Sequence, residues 1–326
     1  MLHSITEVNR KIATGKPLLL AGSEEALRQL TKGNWIGGTI PYFMDEAGGV
    51  CSESLIFVTE LPAFTCAEEI REYTPETLRN VCKDAPENGV SFIIIPAGSP
   101  LHTAYAQDAP RYDGLFIKPV VGWISGVHLS QLGKQTPKVF NGITGAASSE
   151  VAVVMHVSLP ANKLATLEIV NVFKPGSGDT ITFPSAGFAV SECEINGKRR
   201  NFAEYMTSTK QSSQIPLTAD YNTSIVNVSV QSIDEKAGVV NLYAPVFPGM
   251  EYKFGAPVAD YLSEFSVAAG KENGPAAFSC NCILNYLYAG LEGKRTGTIT
   301  GPITFGEIAH QLLNQTVVRL FIRELA

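Results

Sequence analysis

Residues 276–316 read AAFSCNCILNYLYAGLEGKRTGTITGPITFGEIAHQLLNQT. The run up to Cys280 is apolar and of strand length. Residues 282–291 have the length and composition of a helix, and residues 297–305 read as a second strand bounded by glycine. Strand, helix and strand thus follow one another, with small and polar residues at the joints. Gly306 and Glu307 stand at the end of the second strand, and Asn314-Gln315-Thr316 precede a last apolar strand. Connections at strand ends tend to carry function because a rigid sheet positions them.

Each of these residues offers chemistry. A cysteine at a helix start feels the positive end of the dipole, which favours the thiolate, so Cys280 is a candidate nucleophile or ligand contact. The alternative is a small buried residue, as free cysteine commonly is. Asn281, or the free amides beside it, can hold a carboxylate or phosphate. Gly306 permits close approach of a ligand, and Glu307 can take an ammonium group or act as a base. Asn314 carries both a donor and acceptors. Cys280-x-Cys282 has no second Cys/His pair nearby, so no metal site is expected.

Working outward, residues 4–14 predict a helix, Pro17 to Ala21 a strand, and Ser23 a cap on a helix over 24–32. Gly37, Gly38 and Tyr42 follow at a further strand end. Thr74-Pro75 starts a helix to about Lys83. The apolar run Val90 to Ile95 leads through Ser99 into a helix carrying His102 and Tyr105, three residues apart and so on one face. Ser99 and His102 form a second polar cluster, without the Gly-x-Ser-x-Gly elbow of a hydrolase. From Lys118 onward β-branched runs alternate with turn residues, Asn196-Gly197 being the strongest turn signal. The polar stretch 207–216 is the preferred domain boundary, giving domains 1–206 and 207–326. A helix over 24–32 followed by Ile36-Gly37-Gly38-Thr39-Ile40 echoes the helix over 282–291 followed by Thr300-Gly301-Pro302-Ile303-Thr304.

Composition narrows the classes. The 326 residues exceed a single core, and a charged fraction of 17% leaves much surface to bury. A net charge of −6 gives no footprint for nucleic acid or anionic lipid. No run approaches the roughly 20 apolar residues of a membrane span. Six cysteines without a paired framework, and no signal-peptide core at the start, lead to the expectation of a cytoplasmic protein. P-loop, Rossmann and zinc-protease signatures do not occur, and no cofactor is expected.

The chain resembles the FIST sensory domains (F-box and intracellular signal transduction proteins). Phe278-Ser279-Cys280, the block Gly301-Pro302-Ile303-Thr304-Phe305-Gly306-Glu307-Ile308, and Leu313-Asn314-Gln315-Thr316 carry the resemblance in the C-terminal half. Ile36-Gly37-Gly38-Thr39 carries it in the N-terminal half. Cys282-Ile283 stand where that family usually has an arginine, and Tyr42-Phe43 where it has small or acidic residues. The resemblance implies a FIST N-like domain over 1–206 and a FIST C-like domain over 207–326. It also implies an intracellular input domain that binds small molecules, amino acids among them, and signals to an output protein in trans.

The expectation is therefore an α+β fold of two pseudo-related halves, with mixed, largely antiparallel β-sheets flanked by helices. It would be a non-catalytic small-molecule sensor, with oligomers allowed, whose ligand meets Cys280, Asn281, Gly306, Glu307, Asn314, Gly37, Gly38, Tyr42, Ser99 and His102. Two alternatives stand beside it: a Cys280-dependent enzyme with a histidine base, and an interaction protein without a ligand.

Overall fold

The computed structural model describes residues 1–221, 224–269 and 274–325. The fold is α+β, with several mixed, mostly antiparallel sheets flanked by helices. By compactness the chain forms two units. The first comprises residues 1–170, 269–312 and 317–326, and the second residues 171–268 and 313–316. The cut at 206/207 read from sequence falls inside a helix of the second unit, Phe202–Ser208, so the compact units do not follow it.

The first unit is built on three parallel strand pairs, each joined by a helical crossover. Leu18–Gly22 pairs with Trp35–Thr39 across the helix Glu24–Leu27. Gly89–Pro96 pairs with Val120–Ser125 across Pro100–Asp108. Phe278–Cys282 pairs with Gly301–Thr304 across Ile283–Tyr288. Antiparallel strands flank every pair. They are Ile56–Glu60 and Val139–Asn141 in the first, Ala152–Ser158 and Glu307–Ala309 in the second, and Val317–Glu324 and Tyr42–Asp45 in the third.

The flanking strands are exchanged in a cycle. Tyr42–Asp45 follows the first pair in sequence but lies in the third sheet, Val139–Asn141 follows the second but lies in the first, and Glu307–Ala309 follows the third but lies in the second. Between the sheets lie apolar side chains. Trp123 stacks on Phe278 at 5.7 Å, and Phe92 meets Phe278 edge-on at 5.8 Å.

Some of the local signals act as read, and Thr74-Pro75 does not, since the first helical turn there begins at Leu78. Ser4 and Glu7 form a reciprocal capping box, not singled out in the sequence reading, on the helix Ile5–Ile12, and Ser99 caps Pro100–Asp108 with proline in its first turn. In the second unit Asn196 and Gly197, both at positive φ (49° and 75°), join Glu192–Ile195 to Lys198–Asn201.

Lengths fare less well. The helix expected over 24–32 is only Glu24–Leu27, and that over 74–83 is a 3₁₀ turn, Leu78–Asn80, running into Val81–Asp84. The strand Cys66–Tyr73 escaped notice because it pairs on one side only. Its Glu69, Arg71 and Glu72 side chains mask the β signal, as charge on an edge strand does. Among the described residues no helix is long and apolar enough to cross a membrane.

Candidate functional site

Cys280 lies inside the strand Phe278–Cys282, not at a helix start; the helix begins at Ile283, with Cys282 as its cap. Its thiol is buried and donates to the Gly122 carbonyl at 3.5 Å. Burial pushes that thiol well above its ordinary range, and the Glu307 carboxylate beside it adds to the rise. The thiolate expected from a helix dipole is thus corrected to a protonated, interior thiol. Asn281 turns its carbonyl oxygen to the helix start, accepting from Cys282 N at 2.7 Å and from Asn285 Nδ2 at 2.9 Å. The anion-holding role is thereby taken over by the chain itself.

Gly306 offers its carbonyl to Ile124 N at 2.8 Å and to Thr304 Oγ1 at 3.0 Å. Glu307 has 0% exposure and pairs in register with Trp123, so both side chains share one sheet face. Gly38 meets that face from the first sheet. A Cβ there would sit 2.6 Å from Ile94 Cγ2 and 2.9 Å from Trp123 Nε1. At Gly37 a Cβ would sit 3.1 Å from the Trp35 ring. Both glycines serve close packing.

Tyr42 is also nearly covered. Its hydroxyl accepts from Leu129 N at 3.1 Å, and its ring stacks on His128 at 5.5 Å and leans on Tyr286 at 5.6 Å. Ser99 and His102 close the turn before their helix. Ser99 Oγ accepts from His102 N at 3.1 Å, and Gly98 N donates to His102 Nδ1 at 3.2 Å. Burial drives the His102 imidazole down to about 4, so it is neutral at pH 7.

Asn314 belongs to the second unit, apart from the other C-terminal candidates. Asn227 Nδ2 donates to the carbonyls of Asn314 at 3.1 Å and Gln315 at 3.3 Å, and Ser229 Oγ donates to Gln315 Oε1 at 2.7 Å. Gln315 takes a positive φ of 49°, and these carboxamide contacts hold that turn.

None of the ten candidates lines any of the three cavities described. A more open cavity lies elsewhere in the first unit. It is a cleft of about 1050 Å³ between the segment 75–83 and the segment 108–118. Arg79, Lys83, Arg111 and Lys118 face it, with Glu76, Asp108 and Asp113. Arg111 is paired with Asp108 at 2.5 Å, and Lys118 with the Ala85 carbonyl at 2.9 Å. Arg79, Lys83 and Asp113 are exposed, with no side-chain partner among the described residues. Cys82 and Tyr112 complete the lining, and burial raises the thiol to about 11 and the phenol to about 12.

Sequence reasoning missed this cleft. Its walls lie about thirty residues apart, and neither carries a motif. Arg79 and Lys83 stand four residues apart, but Glu76 three before Arg79 and Glu87 four after Lys83 make them read as an ordinary charged helix face.

Residues 3–323 match a family of unknown function, DUF6976, and the chain belongs to it. No curated protein and no solved structure matches the chain.

Proposed function

We propose that this is a non-catalytic small-molecule-binding protein of the sensory kind that the FIST resemblance implies, with its ligand in the cleft between residues 75–83 and 108–118. The observation that carries the reading is the cleft itself. At about 1050 Å³ it has the size of a metabolite site, and it presents unpaired charges of both signs. Arg79 and Lys83 suit a carboxylate and Asp113 an ammonium, which favours an amino-acid-like ligand over a simple anion. On this reading the protein works in the cytoplasm and signals in trans, and its FIST-like halves are distant relatives. The buried, protonated Cys280 thiol speaks against the enzyme alternative. The interaction-protein alternative draws on Phe116 and Ile117, 65% and 84% exposed in the same segment as one cleft wall.

A thermal-shift screen against amino acids, small dicarboxylates and nucleotides tests the proposal. A ligand at 100 times its dissociation constant adds about 2.7 kcal/mol. The expected hit is a zwitterion. Its shift disappears in Arg79→Gln/Lys83→Gln, a variant whose own stability stays within about 0.5 kcal/mol of the parent. A flat screen at millimolar concentrations removes the cleft reading.

A further inference from the structure

Four side chains form one hydrogen-bonded line behind the cleft wall. Ser91 Oγ lies 2.8 Å from His156 Nδ1, His156 Nε2 lies 2.8 Å from the Tyr73 hydroxyl, and that hydroxyl donates to Asp84 Oδ2 at 3.0 Å. Arg71 closes the line with an ion pair to Asp84 at 2.6 Å, and a second to Glu69 at 2.7 Å. Tyr73 has one proton and gives it to Asp84, so it accepts from His156. Nε2 therefore carries the imidazole proton, and the bare Nδ1 accepts from Ser91. Ser91, His156 and Tyr73 are at most 1% exposed.

The line ties three strands to the helix that walls the cleft. His156 faces Glu69 on one neighbouring strand and Ser91 on the other, and Asp84 ends the helix Val81–Asp84. That helix brings Cys82 and Lys83 to the cleft. The charged groups acting on His156 are Asp84, Arg71, Glu69 and Lys118. The register between the two strands shifts beside His156, where the ladder is interrupted.

We propose that this line is a proton-operated latch on the cleft: neutral His156 holds the edge strand and wall helix in place, and its protonation releases them. The regulatory role rests on the cleft being the ligand site; the latch itself does not. A second proton on the imidazole converts Nδ1 from acceptor to donor, turns the Ser91 hydroxyl away, and puts a charge where water cannot reach it. Local opening of the edge strand and helix relieves that cost. Burial holds the folded imidazole down at about 4 against its ordinary 6.5. The closed state is therefore favoured above pH 6.5, and its advantage drains away as pH falls towards 4.

Amide hydrogen exchange on the unliganded full chain tests this without knowledge of a ligand. Protection factors of residues 66–73 and 81–84 are expected to fall by just under tenfold per pH unit, about 80-fold in all, between pH 6.5 and 4. In His156→Gln, which keeps a donor and an acceptor but cannot charge, the pH dependence disappears. Tyr73→Phe, a milder change, keeps the dependence around residue 156 and removes it from residues 81–84. A flat wild-type profile, or the same dependence in His156→Gln, overturns the latch. If the His156→Gln chain does not fold, an unchanged profile at residues 81–84 in Tyr73→Phe overturns it instead. A flat ligand screen leaves these outcomes unaffected, so the two proposals fail separately.

Discussion

Two regions of the first unit hold the polar residues most able to do chemistry, and they differ in one respect. Around Glu307, Asn281 and Cys280 the groups are closely spaced in sequence and buried, and much of their hydrogen bonding is internal. Around Arg79, Lys83 and Asp113 they are scattered in sequence, exposed and unpaired, and they face open volume. A cluster of reactive residue types in sequence identifies a place where the interior is polar. An open site needs unspent hydrogen-bonding capacity facing space, and of these two regions the cleft is the one with both.

The comparison can be broken most forcefully at Glu307. Replacing a fully buried side chain of this size by alanine leaves a cavity in the packed interior, so Glu307→Ala is expected to cost about 3 kcal/mol in urea unfolding. Loss of ligand binding with less than 1 kcal/mol of destabilisation would instead mark the interior as the ligand seat. Gly38→Ala comes next, at about 1–3 kcal/mol, because its methyl meets Ile94 and Trp123 across two packed sheets. A neutral result would mean that the face around Trp123 is roomy enough for a ligand after all. The smallest perturbation is thiol labelling of the folded protein at pH 8. Exposed Cys66 should react roughly a hundredfold or more faster than Cys280, which reacts only through opening. Equal rates would restore Cys280 as a candidate nucleophile.

Much of the fold was legible. The capping Ser23, Ser99 at its helix start, the Asn196-Gly197 turn, and the strands read at 90–95 and 119–127 each act through neighbours a few residues away. The echo between residues 24–40 and 282–304 corresponds to two of the three crossovers. The third, over residues 89–125, went unrecognised because Gly122-Trp123-Ile124-Ser125 shares too little with Ile36-Gly37-Gly38-Thr39. Residues 217–221 were not read as a strand, since they sit against the polar stretch before them.

The candidate site was legible in composition and misleading in accessibility. Cys280, Asn281 and Glu307 do gather in the first unit, as their spacing at strand ends implied, but on the inside. Burial is set by what packs above a residue, and the cover here comes from strands far away in sequence. Gly38 of the strand Trp35–Thr39 packs onto the face that Glu307 shares with Trp123, and Gly122 accepts from the Cys280 thiol.

The sequence by itself determined several helix starts, a tight turn and which runs are apolar, because those outcomes depend on local sterics and hydrogen bonds. The tertiary structure decided the exchange of strands among three sheets, the burial of Glu307 and the assembly of the cleft from segments thirty residues apart. These depend on non-local pairing, whose energy resides in contacts that no short window of sequence contains.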